Sequence, residues 1–154
     1  MDNTKANNEQ RILSLCSGIR GIEKGLDIAG LRHRAIAYVE IEAVACANLV
    51  AAMEAGHLAS TPIWTNLKTF DGAPFRNKVH GIIGGYPCQP FSYAGTRKGT
   101  TDPRHLWPFI REIVRTVKPI WCFFENVPGH LTMGFDSVYK DLRSLGYTVE
   151  AGLF

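Results

Sequence analysis

The residues best suited to chemistry sit in two short stretches. The first is Gly84-Gly85-Tyr86-Pro87-Cys88-Gln89-Pro90-Phe91-Ser92. It follows an apolar run and opens a segment, residues 86–103, with several glycines and prolines and little periodicity. Segments of that length between regular elements are commonly functional or disordered. A lone cysteine is ordinarily a small buried hydrophobe. Prolines on both sides, an adjacent Gln89 and the following Ser92 suit burial poorly and suit a stiffened, presented thiol well. A thiolate that adds to a substrate carbon splits one difficult step into two easier ones. An unperturbed thiol titrates near about 8.5, so only a few per cent is ionised at neutral pH unless the site lowers that value.

The second stretch is Phe123-Phe124-Glu125-Asn126-Val127-Pro128-Gly129. A carboxylate at the end of an apolar run is costly unless it is paired or works. In an apolar setting its pKa rises and it becomes a proton or hydrogen-bond donor near neutral pH. The plain alternative is an ion pair with a nearby Lys or Arg.

Both stretches need strands to present them. Arg11-Ile12-Leu13-Ser14-Leu15-Cys16 reads as a buried strand that runs into a turn of Ser17, Gly18 and Gly21. Ile22, Leu26 and Ala29 share one helical face, and Gly30 ends that helix. The pattern predicts a strand over 34–40 and an alanine-rich helix over 42–55, capped by Gly56. Residues 63–70 are ambiguous, with room for a short strand. A strand follows over 79–83, a helix over 106–117 stopped by Pro119, and a strand over 120–125. A helix over 135–145 is ended by Gly146, and residues 147–154 open a last strand. Alternating strands and helices predict an α/β fold, a mostly parallel sheet with helices on both faces. Ligands of such sheets sit outside the carboxyl ends of the strands.

Composition sets few further limits. The chain has 154 residues, enough for one domain that buries roughly 68–70% of its unfolded surface. It is 45% hydrophobic and 20% charged, as in ordinary soluble proteins. A net charge of +3 permits an anionic partner without demanding one. Residues 1–10 read as a disordered polar tail without the apolar core of a signal peptide. Nothing approaches about 18 consecutive apolar residues, so no membrane association is expected. Cys16, Cys46, Cys88 and Cys122 form no Cys-x-x-Cys pair and no zinc spacing with His. They read as reduced thiols of a cytoplasmic protein with no bound metal.

The turn after the first strand lacks the Gly-x-Gly-x-x-Gly dinucleotide fingerprint and is no P-loop. Glu40 ends the second strand, where a carboxylate can accept hydrogen bonds from ribose hydroxyls. A tight turn and a solvated carboxylate are the plain alternative. Leu13-Ser14-Leu15-Cys16-Ser17-Gly18-Ile19-Arg20-Gly21, with Gly25-Leu26 and Ala29-Gly30, resembles the first motif of the DNA cytosine-5 methyltransferases. The stretches around Cys88 and Glu125-Asn126-Val127 resemble the two central motifs of that family. The resemblance runs over residues 11–154.

That resemblance implies a Rossmann-like, S-adenosylmethionine-dependent methyltransferase fold, incomplete at its C-terminus. It places Ser17, Gly18, Ile19, Gly21, Glu40, Ile41, Asn66, Leu67, Pro87 and Leu106 around the cofactor. Glu40 would hold the ribose, Ile41 would pack on adenine, and Asn66 would accept from its amino group. Cys88 would add to carbon 6 of a cytosine flipped out of double-stranded DNA, so that carbon 5 can take the methyl group. Glu125 would hydrogen-bond ring nitrogen 3 and read the exocyclic amino group, and Asn126 would orient the loop or the Glu. Gln89 would fill space near the vacated base position. Ser92, Arg97 and Arg104 would meet phosphates. The chain departs from the family pattern at Cys16, usually Phe; Arg20, usually Gly; and Asn66, usually Asp. If Arg20 must adopt positive φ, the cost is on the order of 1 kcal/mol or more. His80 stands where many members have Asp and reads as structural.

The family's Gln-x-Arg-x-Arg motif, target-recognition region and C-terminal helix find no match here. The expectation is a partial catalytic domain over 11–154, with an exposed sheet edge, of a restriction-modification enzyme in a bacterial or phage-infected cell. A second chain carrying the remaining motifs would complete it. The alternatives are a tRNA cytosine-5 methyltransferase of the same fold and a noncatalytic fragment or subunit. A cysteine hydrolase would need an oriented His, and it leaves Glu125-Asn126-Val127 unexplained.

Overall fold

The structure, a computed structural model, describes residues 9–87 and 106–153. In chain order it forms β1 (Gln10–Leu15), α1 (Gly21–Ile28), β2 (His33–Val39), α2 (Ala43–Glu54) and β3 (Ile63–Trp64). Then come β4 (Gly81–Gly85), α3 (Trp107–Val117), β5 (Trp121–Glu125), α4 (His130–Met133) and α5 (Phe135–Ser144). Single 3-10 turns lie at Leu67–Thr69 and Ala73–Phe75.

Every strand pairing is parallel, and the order is β3-β2-β1-β4-β5. The chain winds outward from β1 to β3, returns, and winds the other way through β4 and β5. The reversal falls between β1 and β4, the place where sheets of this kind open a ligand crevice beyond the carboxyl ends of their strands.

Alternation along the strands fills both faces. Leu13, Leu15, Ala37, Val39 and Ile82 pack with Ile110, Val114 and Val117 of α3 and Val138 and Leu142 of α5. Ile12, Ala35, Tyr38 and Ile83 face the other way, against Leu49 of α2 and Ile22 and Leu26 of α1. Each such aliphatic side chain, fully buried, contributes about 1.5–3 kcal/mol. A register shift opposite Ile12 and Leu13 leaves Ile36 as the extra residue of β2. Beyond it Ala37 and Val39 return to the face of Leu13.

The glycines of β4 make room for its neighbours. A Cβ on Gly81 would run into the Trp121 ring, and one on Gly84 would lie 3.0 Å from the Leu15 carbonyl. His80 fixes the far end of the sheet. The Arg11 amide donates to its Nδ1 at 2.9 Å, and the His80 amide returns a bond to Arg11 at 2.8 Å. This agrees with its structural reading.

One expected strand is absent. Residues 147–153 form none. Tyr147 and Val149 instead pack on the core, and the Tyr147 hydroxyl donates to the Pro119 carbonyl at 2.7 Å. A strand exists only against a partner. Here β5 stays an edge of the described sheet, with Phe123 exposed. The expected tail over 1–10 falls largely outside the described residues; β1 begins at its last position, Gln10.

Candidate active site

The five parallel strands end on one side of the sheet, and Gly18, Glu40, Glu125 and Asn126 lie at the carboxyl ends of β1, β2 and β5 there. On the β1–β2 side the backbone turns sharply, with Cys16, Gly18 and Arg20 at φ 52°, 49° and 65°. The positive φ anticipated for Arg20 is realised. Glu40 is buried and braces this turn. Its Oε2 accepts from the Gly18 amide at 2.6 Å and its Oε1 from the Glu42 amide at 2.8 Å. An ionised carboxylate has about four acceptor sites, so each oxygen can still take a donor from a ligand. The Ser17 hydroxyl is turned inward and donates to the Ser14 carbonyl at 3.0 Å. Ile19 and Ile41 flank the turn and are 87% and 71% exposed, which leaves two aliphatic surfaces for a flat apolar group to cover. Gly21 opens α1.

On the other side, β4 and β5 leave the sheet in register, Gly85 opposite Glu125. The Glu125 carboxylate lies over Gly85, whose Cβ, if it had one, would come 3.2 Å from Oε2. Asn126 Nδ2 donates to the Tyr86 carbonyl at 3.2 Å, and its Oδ1 accepts from the Val127 amide at 2.9 Å. Tyr86 is buried among Trp107, Phe124 and His130, with ring centroids 5.9, 6.1 and 5.9 Å away. Trp107 is tied to α5, its Nε1 donating to Asp141 Oδ2 at 2.8 Å, while Arg111 pairs with Asp141 at 3.0 Å. The backbone that leads into Pro87 is therefore fixed by side chains from β5, α3 and α4.

Several expectations change. Glu125 is exposed rather than set in an apolar pocket. Its strand is an edge, and the neighbouring Gly85 contributes no side chain to cover it. Leu67 belongs to the core and not to the crevice. Asn66 caps the following 3-10 turn, its Oδ1 accepting from the Lys68 amide at 3.0 Å, so the expected acceptor is already partly used. Leu106 precedes α3 and packs on the core. Pro87 is exposed at the crevice. Cys88, Gln89, Ser92, Arg97 and Arg104 lie outside the described residues.

The three described thiols are poor nucleophiles. Burial, and then the Glu40 carboxylate, push Cys16 up to about 12, and burial alone does the same to Cys122. Burial and Glu40 also raise Cys46. Among the described residues no group of His, Cys, Asp and Glu could hold a metal ion, and no helix is long and apolar enough to cross a membrane.

Two features escaped the sequence. One is the Tyr86–Asn126 contact. The other is a buried pair, Ser14 Oγ donating to Glu23 Oε1 at 2.6 Å. A polar residue inside an otherwise apolar strand was the available signal, since a buried hydroxyl needs a partner.

Comparison with known proteins agrees with this geometry. Residues 10–154 match the family described as C-5 cytosine-specific DNA methylase. Type II methyltransferase M.Eco47II of Escherichia coli is 32% identical over 96% of this chain and 36% of its own length. Type II methyltransferase M.NgoMIV of Neisseria gonorrhoeae is 31% identical over 88% of this chain and 42% of its own. The chain thus spans about two fifths of the relatives it matches. Among solved structures, S. pombe Dnmt2 methyltransferase superposes with a TM-score of 0.69 at 25% identity, over 90% of this chain and 43% of that one. A Spodoptera frugiperda DNMT2 mutant gives 0.64 at 25% identity, over 88% and 41%. The fold is the Rossmann-like methyltransferase fold, and the chain belongs to the C-5 cytosine-specific DNA methylase family.

Proposed function

We propose that this chain carries the cofactor-binding and base-attacking half of a DNA cytosine-5 methyltransferase of restriction-modification type, working in the cytoplasm of a bacterial or phage-infected cell. The observation that carries the reading is the pairing of two constellations across one crevice. Glu40 and Gly18 lie on the β2–β1 side, and Glu125 and Asn126 lie on the β5 side next to the β4 exit.

The β1–β2 side fits S-adenosylmethionine on its own chemistry. Glu40 keeps acceptor capacity for ribose hydroxyls, Ile41 and Ile19 present apolar surface to an adenine, and Gly18 has open space where a side chain would stand. Ser17, Gly21, Asn66, Pro87 and Leu106 complete the set assigned by family motif, and Leu67 supports it from the core. When bound, the sulfonium supplies an electrophilic methyl group.

The chain's own part is to make cytosine nucleophilic. Cys88, as thiolate, adds to carbon 6, and the ring electrons move toward nitrogen 3. Once the bound base and DNA cover it and favour its neutral form, Glu125 would donate a hydrogen bond or proton there, so charge does not accumulate on the ring. Carbon 5 would then bond the methyl group as the methyl–sulfur bond breaks and S-adenosylhomocysteine leaves. Loss of the carbon 5 proton to a base expels the thiolate and restores the aromatic ring. Asn126 holds the backbone two residues before Cys88 through Tyr86. Gln89, Ser92, Arg97 and Arg104 are assigned to the DNA. Target recognition is assigned to sequence outside residues 1–154, on this polypeptide or on a second chain, consistent with the open β5 edge.

The test is methyl transfer from labelled S-adenosylmethionine to mixed-sequence duplex DNA. Cys88→Ala serves as control and tRNA as a parallel substrate. Cys88-dependent label on DNA carbon 5 supports the reading. Label on tRNA alone transfers it to an RNA enzyme. No label on either, even with a relative's C-terminal part added in trans, refutes catalysis by this chain.

A further inference from the structure

Three rings meet near the carboxyl ends of β4 and β5. Tyr86 follows β4, Trp107 opens α3, and Phe124 stands in β5. Their centroids lie 5.9 Å apart for Tyr86 and Trp107, 6.1 Å for Tyr86 and Phe124, and 5.7 Å for Trp107 and Phe124. Tyr86 precedes Cys88 by two residues, and Phe124 precedes Glu125 by one. Trp107, itself buried, is the ring on α3 that touches both. A buried indole N–H needs an acceptor. Here the acceptor comes from outside the crevice. Trp107 Nε1 donates to Asp141 Oδ2 of α5 at 2.8 Å, and Asp141 Oδ1 pairs with Arg111 Nε at 3.0 Å. One carboxylate thus grips two residues a turn apart on α3. Hydrogen bonds to an ionised acceptor are short and strong, and they fix orientation as well as place. The indole meets Phe124 edge to face, at 87°, and lies at 36° to Tyr86. Turning it in its pocket would spoil both contacts, since ring pairs favour particular edge and face arrangements.

We propose that Asp141 is a positioning residue: by fixing the Trp107 indole it sets Tyr86 and Phe124, and through them the backbone that leads to Cys88 and Glu125. This rests on the cytosine-methylating reading above and extends the working arrangement to a residue of α5. The simple view takes Asp141 as a half-buried acid whose worth is its charge pair with Arg111. On that view Asp141→Asn and Asp141→Ala behave alike, and the folded variants transfer methyl groups at the normal rate. A tether on the indole predicts a split between them, because Asn keeps an oxygen for the N–H and Ala keeps none.

The experiment is single-turnover methyl transfer by the full chain, under the conditions of the preceding test in which wild type transfers label. It compares wild type, Asp141→Asn, Asp141→Ala, Trp107→Phe and the Trp107→Phe/Asp141→Ala double variant. Ile12→Val, on the other face of the sheet, serves as a control for lost stability alone. Urea midpoints and S-adenosylhomocysteine affinity are measured alongside. Asp141→Ala slows transfer about tenfold, the scale of a small misplacement of a reacting group, and Asp141→Asn stays within about threefold of wild type. Trp107→Phe keeps a ring, loses the N–H and also slows transfer about tenfold. In that background Asp141→Ala costs less than about threefold more, since the two residues act through one bond. S-adenosylhomocysteine affinity holds in every variant, and Ile12→Val lowers the urea midpoint without slowing transfer. Equal rates for Asp141→Asn and Asp141→Ala, or a double variant that loses the product of the two single losses, overturns the inference alone. So does slowing that follows the urea midpoint through the whole set, Ile12→Val included. Wild type that transfers no label to DNA or tRNA under any of those conditions overturns the methyltransferase reading and this inference with it.

Discussion

Asn126 Nδ2 donates to the carbonyl of Tyr86 at 3.2 Å, tying the exit of β5 to the exit of β4 two residues before Cys88. Tyr86 also sits in a cage of Trp107, Phe124 and His130, so its backbone has little freedom. One amide thus links the residue after the expected acid to the approach of the expected nucleophile.

Asn126→Ala leaves the Tyr86 carbonyl without this donor and releases the link. Unfolding free energy falls by only about 1 kcal/mol, because Tyr86 keeps its ring contacts. Single-turnover methyl transfer falls about 10- to 100-fold, since misplacement of a reacting group by an ångström is enough for that. Affinity for S-adenosylhomocysteine does not change. A variant with wild-type turnover would remove Asn126 from the catalytic arrangement.

Glu40 has the complementary role on the cofactor side. Glu40→Gln can satisfy one of the two backbone donors with its amide oxygen and turns an NH2 toward the other. The expected result is a stability loss of about 1–3 kcal/mol and weakening of S-adenosylhomocysteine binding by about tenfold or more. Urea titration and calorimetry measure the two. A stability loss with unchanged affinity would make Glu40 a turn brace only.

Two glycines of β4 separate packing from chemistry. In Gly81→Ala the new methyl group runs into the Trp121 ring, and overpacking of that kind costs about 1–3 kcal/mol. In Gly85→Ala it meets the free end of Glu125 at 3.2 Å, which can swing away. Melting temperature therefore drops for Gly81→Ala and holds within a degree or two for Gly85→Ala, while turnover falls mainly in Gly85→Ala. Equal activity of Gly85→Ala and wild type would argue against a working role for Glu125.

The core was legible because the patterns that betray it are local. β1, β2, β4 and β5 are short apolar runs bounded by glycine, proline or polar residues. α3 places Trp107, Ile110, Ile113, Val114 and Val117 on one stripe. What escaped is nonlocal. Residues 147–153 have strand-like composition but no neighbour to pair with, and β-propensity measures fit to neighbours more than backbone preference. Leu67 and Leu106 fall at motif positions, yet the fold buries or half-buries them in the core. The exposure of Glu125 follows from the edge position of β5, which no short window of sequence encodes. α4, only His130–Met133 between two glycines, is too short to carry a period.

Two half-buried thiols, Cys16 and Cys122, weaken the fold at alkaline pH. Cys16 and Cys122 are pushed from 9.0 to about 12, and Tyr147 from 10.0 to about 12, by burial first, then by Glu40 for Cys16 and Cys122 for Tyr147. Each folded-state value lies above that of the unfolded chain. Below about pH 7.5 all three groups are protonated in both states, and their contribution is fully present. Between about 9 and 12 the unfolded chain releases protons that the folded chain keeps, so the equilibrium drifts toward unfolding. Urea midpoints should be level up to about pH 7.5 and fall steadily above about 9. Cys122→Ala should flatten part of that slope while costing some packing at neutral pH. Iodoacetamide at about pH 8 should label Cys16 and Cys122 only when urea is present. Rapid labelling of either in the native protein, or a midpoint unchanged to about pH 11, would contradict their burial as neutral thiols and reopen both as candidate nucleophiles beside Cys88.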